Sequence, residues 1–172
     1  MTQTESTSEA LRNAKANDDY EKTVVVHAGP DAVFDALTTL SGLTSWWSSV
    51  SGSGEVGGEL SFIMNAAEPC IMRVDVAARP ALVQWTCISC DFLPDWVGTR
   101  PTYTIIPLED GTTEVRFRHI GLTPDLECID MCTSGWNHFI PSLRDYVESG
   151  TGSPLGSPGD MARRERDRGA AG

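Results

Sequence analysis

His119 is the residue best placed by its neighbours to do chemistry. It alternates with Val115 and Phe117 along a predicted strand, so the three side chains share an apolar face. An imidazole on that face could orient a polar ligand group or exchange a proton near neutral pH. Alternatively, it is a core histidine whose ring is satisfied by a helix or by a backbone carbonyl. The sequence leaves both interpretations open.

Five cysteines raise the question of a metal or redox site. Cys87 and Cys90 form a C-x-x-C pattern at the end of a predicted strand, where residues three apart point to opposite faces unless the strand ends between them. Cys128 and Cys132 share a helical face that also carries Trp136. Free cysteine is among the most buried residue types, so we expect reduced core thiols and no metal. No glycine-rich nucleotide motif or nucleophile elbow is present, and no cofactor is predicted.

Five tryptophans could line a pocket for a flat or apolar ligand. Trp85 and Trp136 are in phase with core-facing positions of a strand and a helix. Trp46, Trp47 and Trp96 belong to connecting segments, which we expect near the mouth of such a pocket. The alternative for all five is ordinary core packing, because aromatic side chains dominate core energetics.

Alternating and helical patterns predict the elements that hold these residues. A β-branched run at residues 22–27 is the first strand, and Pro30 then begins two short helices. An apolar helical period runs from Leu126 to Glu148, with Gly150 closing the helix. Between these parts lie five further strands, marked by alternating Leu60, Phe62 and Met64; Met72, Val74 and Val76; Val83, Trp85 and Cys87; Tyr103 and Ile105; and Val115, Phe117 and His119.

This order predicts an α+β fold with an antiparallel sheet of about six strands. A sheet with one apolar face must cover it, and only the C-terminal helix is long enough to do so.

Ordered motifs along the chain carry a family resemblance. The segments are 29–47 with its paired tryptophan, Trp85-Thr-Cys87, Asp95-Trp-Val-Gly-Thr99, Phe117-Arg-His-Ile-Gly121 and Cys132-Thr-Ser-Gly-Trp136. Together they resemble the SRPBCC (START-like, helix-grip) superfamily, in the branch of the heat-shock-protein ATPase activator homologues. The resemblance implies a curved sheet wrapped around the long C-terminal helix, with a ligand cavity between them.

The leading interpretation is non-enzymatic binding of a small hydrophobic or amphipathic ligand in that cavity, because no convergent set of His, Asp and Glu residues on one strand face favours catalysis. One alternative is a polyketide cyclase or aromatase-like enzyme, for which His119 would be the catalytic residue. A second is a co-chaperone-like module that binds a chaperone or another protein. The expected ligand-binding residues are Trp46, Trp47, Phe62, Met64, Met72, Val74, Trp85, Trp96, Tyr103, Phe117, His119, Cys132, Trp136 and Ile140.

Composition limits the domain plan and the partners. We expect a mobile lead-in at 1–19, one domain at 20–152 and a disordered Gly/Pro/Ser-rich tail at 153–172. The formal net charge of −11 disfavours nucleic acid, since an acidic surface repels phosphate. No apolar run is long enough to span a bilayer, and the N-terminal residues lack a signal-peptide pattern, so a cytoplasmic protein without membrane insertion is expected.

Overall fold

The computed structural model describes residues 18–64 and 67–171. The lead-in expected at 1–19 falls almost entirely outside these residues, and that expectation stays a prediction. Within the described residues, the chain forms one seven-stranded antiparallel sheet, four α-helices and one turn of 3-10 helix.

The sheet follows the alternating pattern of the sequence. Its strand order is β1-β7-β6-β5-β4-β3-β2, and every neighbouring pair is antiparallel. In the last strand, Val115, Phe117 and His119 are buried while Arg116 is exposed. The strands are β1 (Tyr20–Val26), β2 (Val50–Gly52), β3 (Glu59–Phe62), β4 (Cys70–Ala78), β5 (Leu82–Ser89), β6 (Arg100–Pro107) and β7 (Thr113–Ile120).

One strand more is present than the sequence predicts. The additional strand is β2, which pairs with β3 at the edge of the sheet. Its three residues, Val-Ser-Gly, are too few to show a two-residue period, and they lie in a Gly/Ser-rich stretch.

The helices begin and end at recognisable signals. They are α1 (Pro30–Thr38), α2 (Leu40–Trp46), α3 (Ile129–Ser149) and α4 (Pro158–Ala171), with the 3-10 turn at Pro94–Trp96. Proline starts α1, and the Thr39 hydroxyl caps α2 by accepting the Gly42 amide at 3.1 Å. Gly150 ends α3 in the left-handed conformation, with φ of 85°.

Helix α3 covers the apolar face of the sheet. Its buried stripe includes Cys132, Trp136, Ile140 and Leu143, at the helical spacing that the sequence shows. Pro141 lies inside the helix without ending it. The α+β helix-grip fold predicted from the sequence is therefore confirmed.

Of the segment 153–172, predicted to be disordered, the structure describes residues 153–171, which are anchored to the domain and contain α4. The Ser153 amide donates to the Ser142 hydroxyl at 2.6 Å, and the Leu155 amide donates to the Trp47 carbonyl at 2.7 Å. These bonds tie the chain beyond α3 to α3 itself and to the end of α2. The structure thus gives residues 153–171 an ordered arrangement where the composition of the sequence predicts disorder.

Ion pairs within the helix, rather than an apolar stripe, stabilise α4, and the Ser134 hydroxyl of α3 links the helix to the domain by hydrogen bonds with Arg163 and Asp167. The fully buried carboxylate of Asp160 accepts from Arg163 at 2.6 Å and lies 3.0 Å from Arg164. The Ser157 hydroxyl accepts the Asp160 amide at 3.4 Å, as a helix-capping serine does. Such a polar helix has no clear hydrophobic period, so apolar spacing in the sequence does not predict it.

Within the part of the chain that the structure describes, no helix combines the length and apolar character needed to cross a membrane.

Candidate functional site

A cavity of about 460 Å³ opens between α3, α4 and the segment that follows β5. Aromatic and aliphatic side chains make most of its wall, and charged side chains of α4 lie along one border. The apolar part is formed by Trp47, Met64, Phe92, Leu93, Trp96, Met131, Cys132, Gly135, Trp136, Phe139 and Leu155, and the charged border by Arg163, Arg164, Asp167 and Arg168.

The aromatic walls are held by contacts among themselves. The indoles of Trp96 and Trp136 are stacked within 5° of parallel, with ring centroids 6.0 Å apart. Trp47 lies 4.9 Å from Trp136 and 4.3 Å from Phe62. Rings packed on several sides have few alternative rotamers, so these walls are formed before any ligand arrives.

Five of the fourteen predicted ligand-binding residues line this cavity. They are Trp47, Met64, Trp96, Cys132 and Trp136. The other nine are buried in the core behind it: Trp46, Phe62, Met72, Val74, Trp85, Tyr103, Phe117, His119 and Ile140. Positions in phase with the sheet interior interdigitate with α3, whereas the open space lies beside α4.

Trp46 differs most from its predicted position, which was at the mouth of the cavity. Its side chain is fully buried, and its indole N–H donates to the Ala36 carbonyl at 2.8 Å. Trp46 therefore fastens α2 to α1, and only its neighbour Trp47 reaches the cavity.

His119 is hydrogen-bonded at both ring nitrogens inside the core. The Trp136 indole donates to Nδ1 at 3.0 Å, and Nε2 lies 2.8 Å from the Thr99 hydroxyl. That hydroxyl also bonds the Trp96 carbonyl at 2.6 Å. Because Nδ1 accepts from an indole N–H, the proton of a neutral ring is on Nε2, which donates to Thr99.

Burial lowers the pKa of His119 to about 3. The ring is therefore neutral at physiological pH, and both nitrogens are already engaged. Of the two interpretations that the sequence leaves open, the core histidine satisfied by the long helix matches this geometry.

The thiol of Cys132 is a neutral part of the cavity wall. Its sulfur accepts the Trp96 indole N–H at 3.2 Å. Burial is the main reason that the pKa of Cys132 rises to about 12. A thiol in that state is a poor nucleophile, since the thiolate is the reactive form.

Cys70, Cys87 and Cys90 form a second group of thiols, buried in the core. Strand β5 ends at Ser89, between the two cysteines of the C-x-x-C pattern, so the opposite-face argument does not hold for them. The sulfurs of Cys70 and Cys87 lie 3.9 Å apart, and all three thiols are free. Among the described residues, no three His, Cys, Asp or Glu side chains are arranged to hold a metal ion.

The charged border is the part of the cavity that sequence reasoning missed. A signal for it exists in Ser157-Pro158-Gly159-Asp160, a capping pattern with proline at the first helical position. Followed by Arg163, Arg164 and Asp167 at pairing distance along a helix, it predicts a helix stabilised by ion pairs.

Residues 27–148 match the family model for Activator of Hsp90 ATPase homolog 1-like protein. The Aha1 dimer from Colwellia psychrerythraea, solved in solution, is 28% identical with a TM-score of 0.68, covering 78% of this chain and 98% of that one. Among curated proteins, none matches the chain.

Two more distant solved structures share the fold. CalU16 from Micromonospora echinospora is 17% identical with a TM-score of 0.65, and the match covers 89% of this chain and 84% of that one. Protein BH1534 from Bacillus halodurans is 22% identical with a TM-score of 0.62, covering 76% and 96%.

Proposed function

This chain belongs to the Activator of Hsp90 ATPase homolog 1-like family, and we propose that it binds a small hydrophobic or amphipathic molecule in the cavity between α3 and α4. The observation that carries the proposal is the cavity itself, an aromatic-walled space of about 460 Å³. Small-molecule sites in proteins are concave, mostly apolar and about 300–1,000 Å³ in volume.

The chemistry of the wall supports binding of a flat, apolar body. Three indoles and two phenyl rings contribute to it, and the parallel planes of Trp96 and Trp136 offer surfaces for stacking. Burying apolar area contributes about 25 cal/mol per Å², so an aromatic ligand would gain affinity without a reaction being catalysed.

The cyclase-like alternative has no observation in its favour at His119. An acid–base role would need a ring nitrogen that faces the substrate, and both nitrogens bond to the protein. The co-chaperone-like alternative rests on the family resemblance alone. Binding within the cavity is the function that the geometry supports best.

The test is a fluorescence titration with N-phenylnaphthylamine, a neutral aromatic probe, on the intact chain and on Gly135→Leu. Gly135 lines the cavity, and a Cβ there would meet only the Phe139 ring, at 3.9 Å. The larger side chain should fill the space without straining the core. We expect saturable binding to the unaltered chain and at least roughly tenfold weaker binding to Gly135→Leu, the equivalent of about 1.4 kcal/mol.

Gly169→Leu is the matched control. Gly169 lies on α4, outside the cavity lining, and a Cβ there meets nothing within 4 Å. Both substitutions replace a helical glycine, so both should preserve or raise the unfolding temperature. Equal probe affinity in the three folded proteins, or no saturable binding to the unaltered chain, would overturn the proposal.

A further inference from the structure

We propose that the thiol cluster of Cys70, Cys87 and Cys90 is a modification site, at which a hydroperoxide such as hydrogen peroxide oxidises Cys90 and closes a disulfide with Cys70. All three thiols are free in the structure, so the reaction starts from the reduced protein. It needs no ligand in the cavity, and it engages thiols that the proposed function leaves unused.

A bulge in β5 brings Cys87 and Cys90 to the same side of the sheet. Ile71 of β4 pairs with Ser89 of β5. The next residue along β4, Met72, pairs with Cys87, two positions before Ser89, so β5 contains one extra residue at this point. An extra residue of this kind shifts the alternation of side chains along the strand. Both cysteines are therefore buried, although they are three residues apart.

The same pairing places Cys70 beside Cys90. Continuing the register by one residue beyond Ile71 and Ser89 brings these two cysteines opposite each other, and their thiols interact by hydrogen bonding. Opposite residues of antiparallel strands have Cα atoms about 4.5–5.5 Å apart, and a disulfide needs about 4.4–6.8 Å. A bond between Cys70 and Cys90 therefore fits the sheet without a large backbone movement.

Cys90 is the thiol of this cluster that its surroundings stabilise as a thiolate. Hydrogen bonds from the thiols of Cys70 and Cys87 lower the pKa of Cys90 well below the ordinary value of a thiol. The backbone amides of Leu93 and Phe92 also donate to its sulfur and act in the same direction. Because the thiolate is the form that attacks peroxides, Cys90 should be oxidised first.

The hydroperoxide supplies the oxidising equivalents for both steps. The Cys90 thiolate attacks a peroxide oxygen, the O–O bond breaks, and Cys90 becomes a sulfenic acid while hydroxide or alkoxide leaves and takes a proton from solvent. The Cys70 sulfur then attacks the Cys90 sulfur, the S–O bond breaks, and the hydroxyl leaves as water with the Cys70 proton. Two thiols are oxidised to one disulfide, and one peroxide is reduced.

The position of Cys90 allows a small oxidant to reach it. Cys90 begins the loop between β5 and the 3-10 turn, and it is 2% exposed, whereas the next two residues, Asp91 and Phe92, are exposed. Loops with few buried contacts open locally at a much lower free energy than the whole domain. Hydrogen peroxide is little larger than water, so a narrow opening of this loop is sufficient.

Mass-spectrometric mapping of the unaltered protein tests the assignment directly. The reduced chain is treated with about one equivalent of hydrogen peroxide, the remaining thiols are alkylated, and the digest is compared before and after reduction. We expect a Cys70–Cys90 disulfide that dithiothreitol reverses. Cys128 is the most exposed of the five cysteines and serves as the internal comparison. It should be oxidised at least roughly tenfold more slowly than Cys90, because oxidation follows thiolate character.

Three alanine variants distinguish the two roles. Cys90→Ala should lose the disulfide, together with any label from dimedone, which traps sulfenic acids. Cys70→Ala removes the second thiol, so dimedone should label Cys90 at least roughly tenfold more than in the unaltered chain. Cys132→Ala is the matched control, since it removes a buried thiol outside the cluster, and the disulfide should form at an unchanged rate.

Three results would overturn the proposal, and the first two need no variant. They are oxidation of Cys128 before Cys90, and a disulfide in the unaltered chain with any pairing other than Cys70 with Cys90. The third is a peroxide-dependent disulfide or dimedone label that persists at Cys70 or Cys87 in folded Cys90→Ala.

Discussion

Trp136 of α3 donates its indole N–H to Nδ1 of His119 on β7, at 3.0 Å. This bond joins the long helix to the sheet through two fully buried side chains. The same indole is part of the cavity wall, and its plane is parallel to that of Trp96. The histidine therefore holds a wall of the site, although it is not part of the lining itself.

The buried imidazole predicts an acid-sensitive contribution to stability. Burial holds the pKa of His119 at about 3, below its ordinary value of 6.5. Between these two pH values the imidazole is protonated in the unfolded chain and neutral in the folded chain. The contribution of the neutral ring to the free energy of unfolding is complete above pH 6.5. It declines as pH falls toward 3, by about 1.4 kcal/mol per pH unit. Urea unfolding of the chain and of His119→Gln at several pH values measures it.

The difference in unfolding free energy between the two proteins should shrink from pH 7 to pH 5, because glutamine does not titrate. If the variant does not fold, nitrogen NMR of the unaltered chain answers the same question. His119 should stay neutral, with its proton on Nε2, throughout that range. Titration of His119 near pH 6.5 would show that the ring is not buried in this way.

A second prediction concerns the ion pairs within α4. Asp160→Asn removes the buried carboxylate shared by Arg163 and Arg164. Breaking a buried pair leaves uncompensated charge and typically costs about 3–5 kcal/mol. We expect hydrogen exchange of the amides at 158–171 to accelerate by at least roughly tenfold, since this helix can open without the rest of the domain.

Asp145→Asn is the control for that substitution, because Asp145 is exposed and pairs only with its neighbour Arg144 among the ion pairs of the described residues. It should leave the exchange of α4 unchanged. Rapid exchange of α4 already in the unaltered chain would mean that this segment is a mobile tail, as its composition suggests.

The fold could be predicted from the sequence because its signals are local and repeated. Val115, Phe117 and His119 alternate along β7, and Trp136 and Ile140 recur on one face of α3. Each pattern still identifies its strand or helix when the ends of that element are placed a residue or two wrongly. Strand β2 and helix α4 were missed, since a three-residue strand and an ion-paired helix carry no apolar period.

The site was harder to predict because facing the interior does not distinguish a core residue from a cavity residue. Trp85 and Trp136 are both in phase with the core, yet only Trp136 borders the open space. The difference depends on how side chains from separate elements fill the volume. The border residue Arg163 was not predicted, since it belongs to a helix that the sequence pattern did not indicate.

The cysteines give a third prediction, which is that they are reduced and free of metal. No group of side chains in the described parts of the chain is arranged to bind an ion, and the five thiols are unpaired as disulfides. Elemental analysis of the dialysed protein should find zinc well below one equivalent. Stoichiometric zinc that survives dialysis would make Cys70, Cys87 and Cys90 the first residues to examine.

The most direct test of the central claim is an NMR measurement of contacts between N-phenylnaphthylamine and methionine methyl groups labelled with carbon-13. Met64 and Met131 line the cavity, Met72 is buried in the core and Met161 lies on the exposed side of α4. The account predicts nuclear Overhauser contacts from the probe to Met64 and Met131, and none to Met161. Contacts to Met161 alone, or saturable binding with none to Met64 and Met131, would contradict a ligand site between α3 and α4.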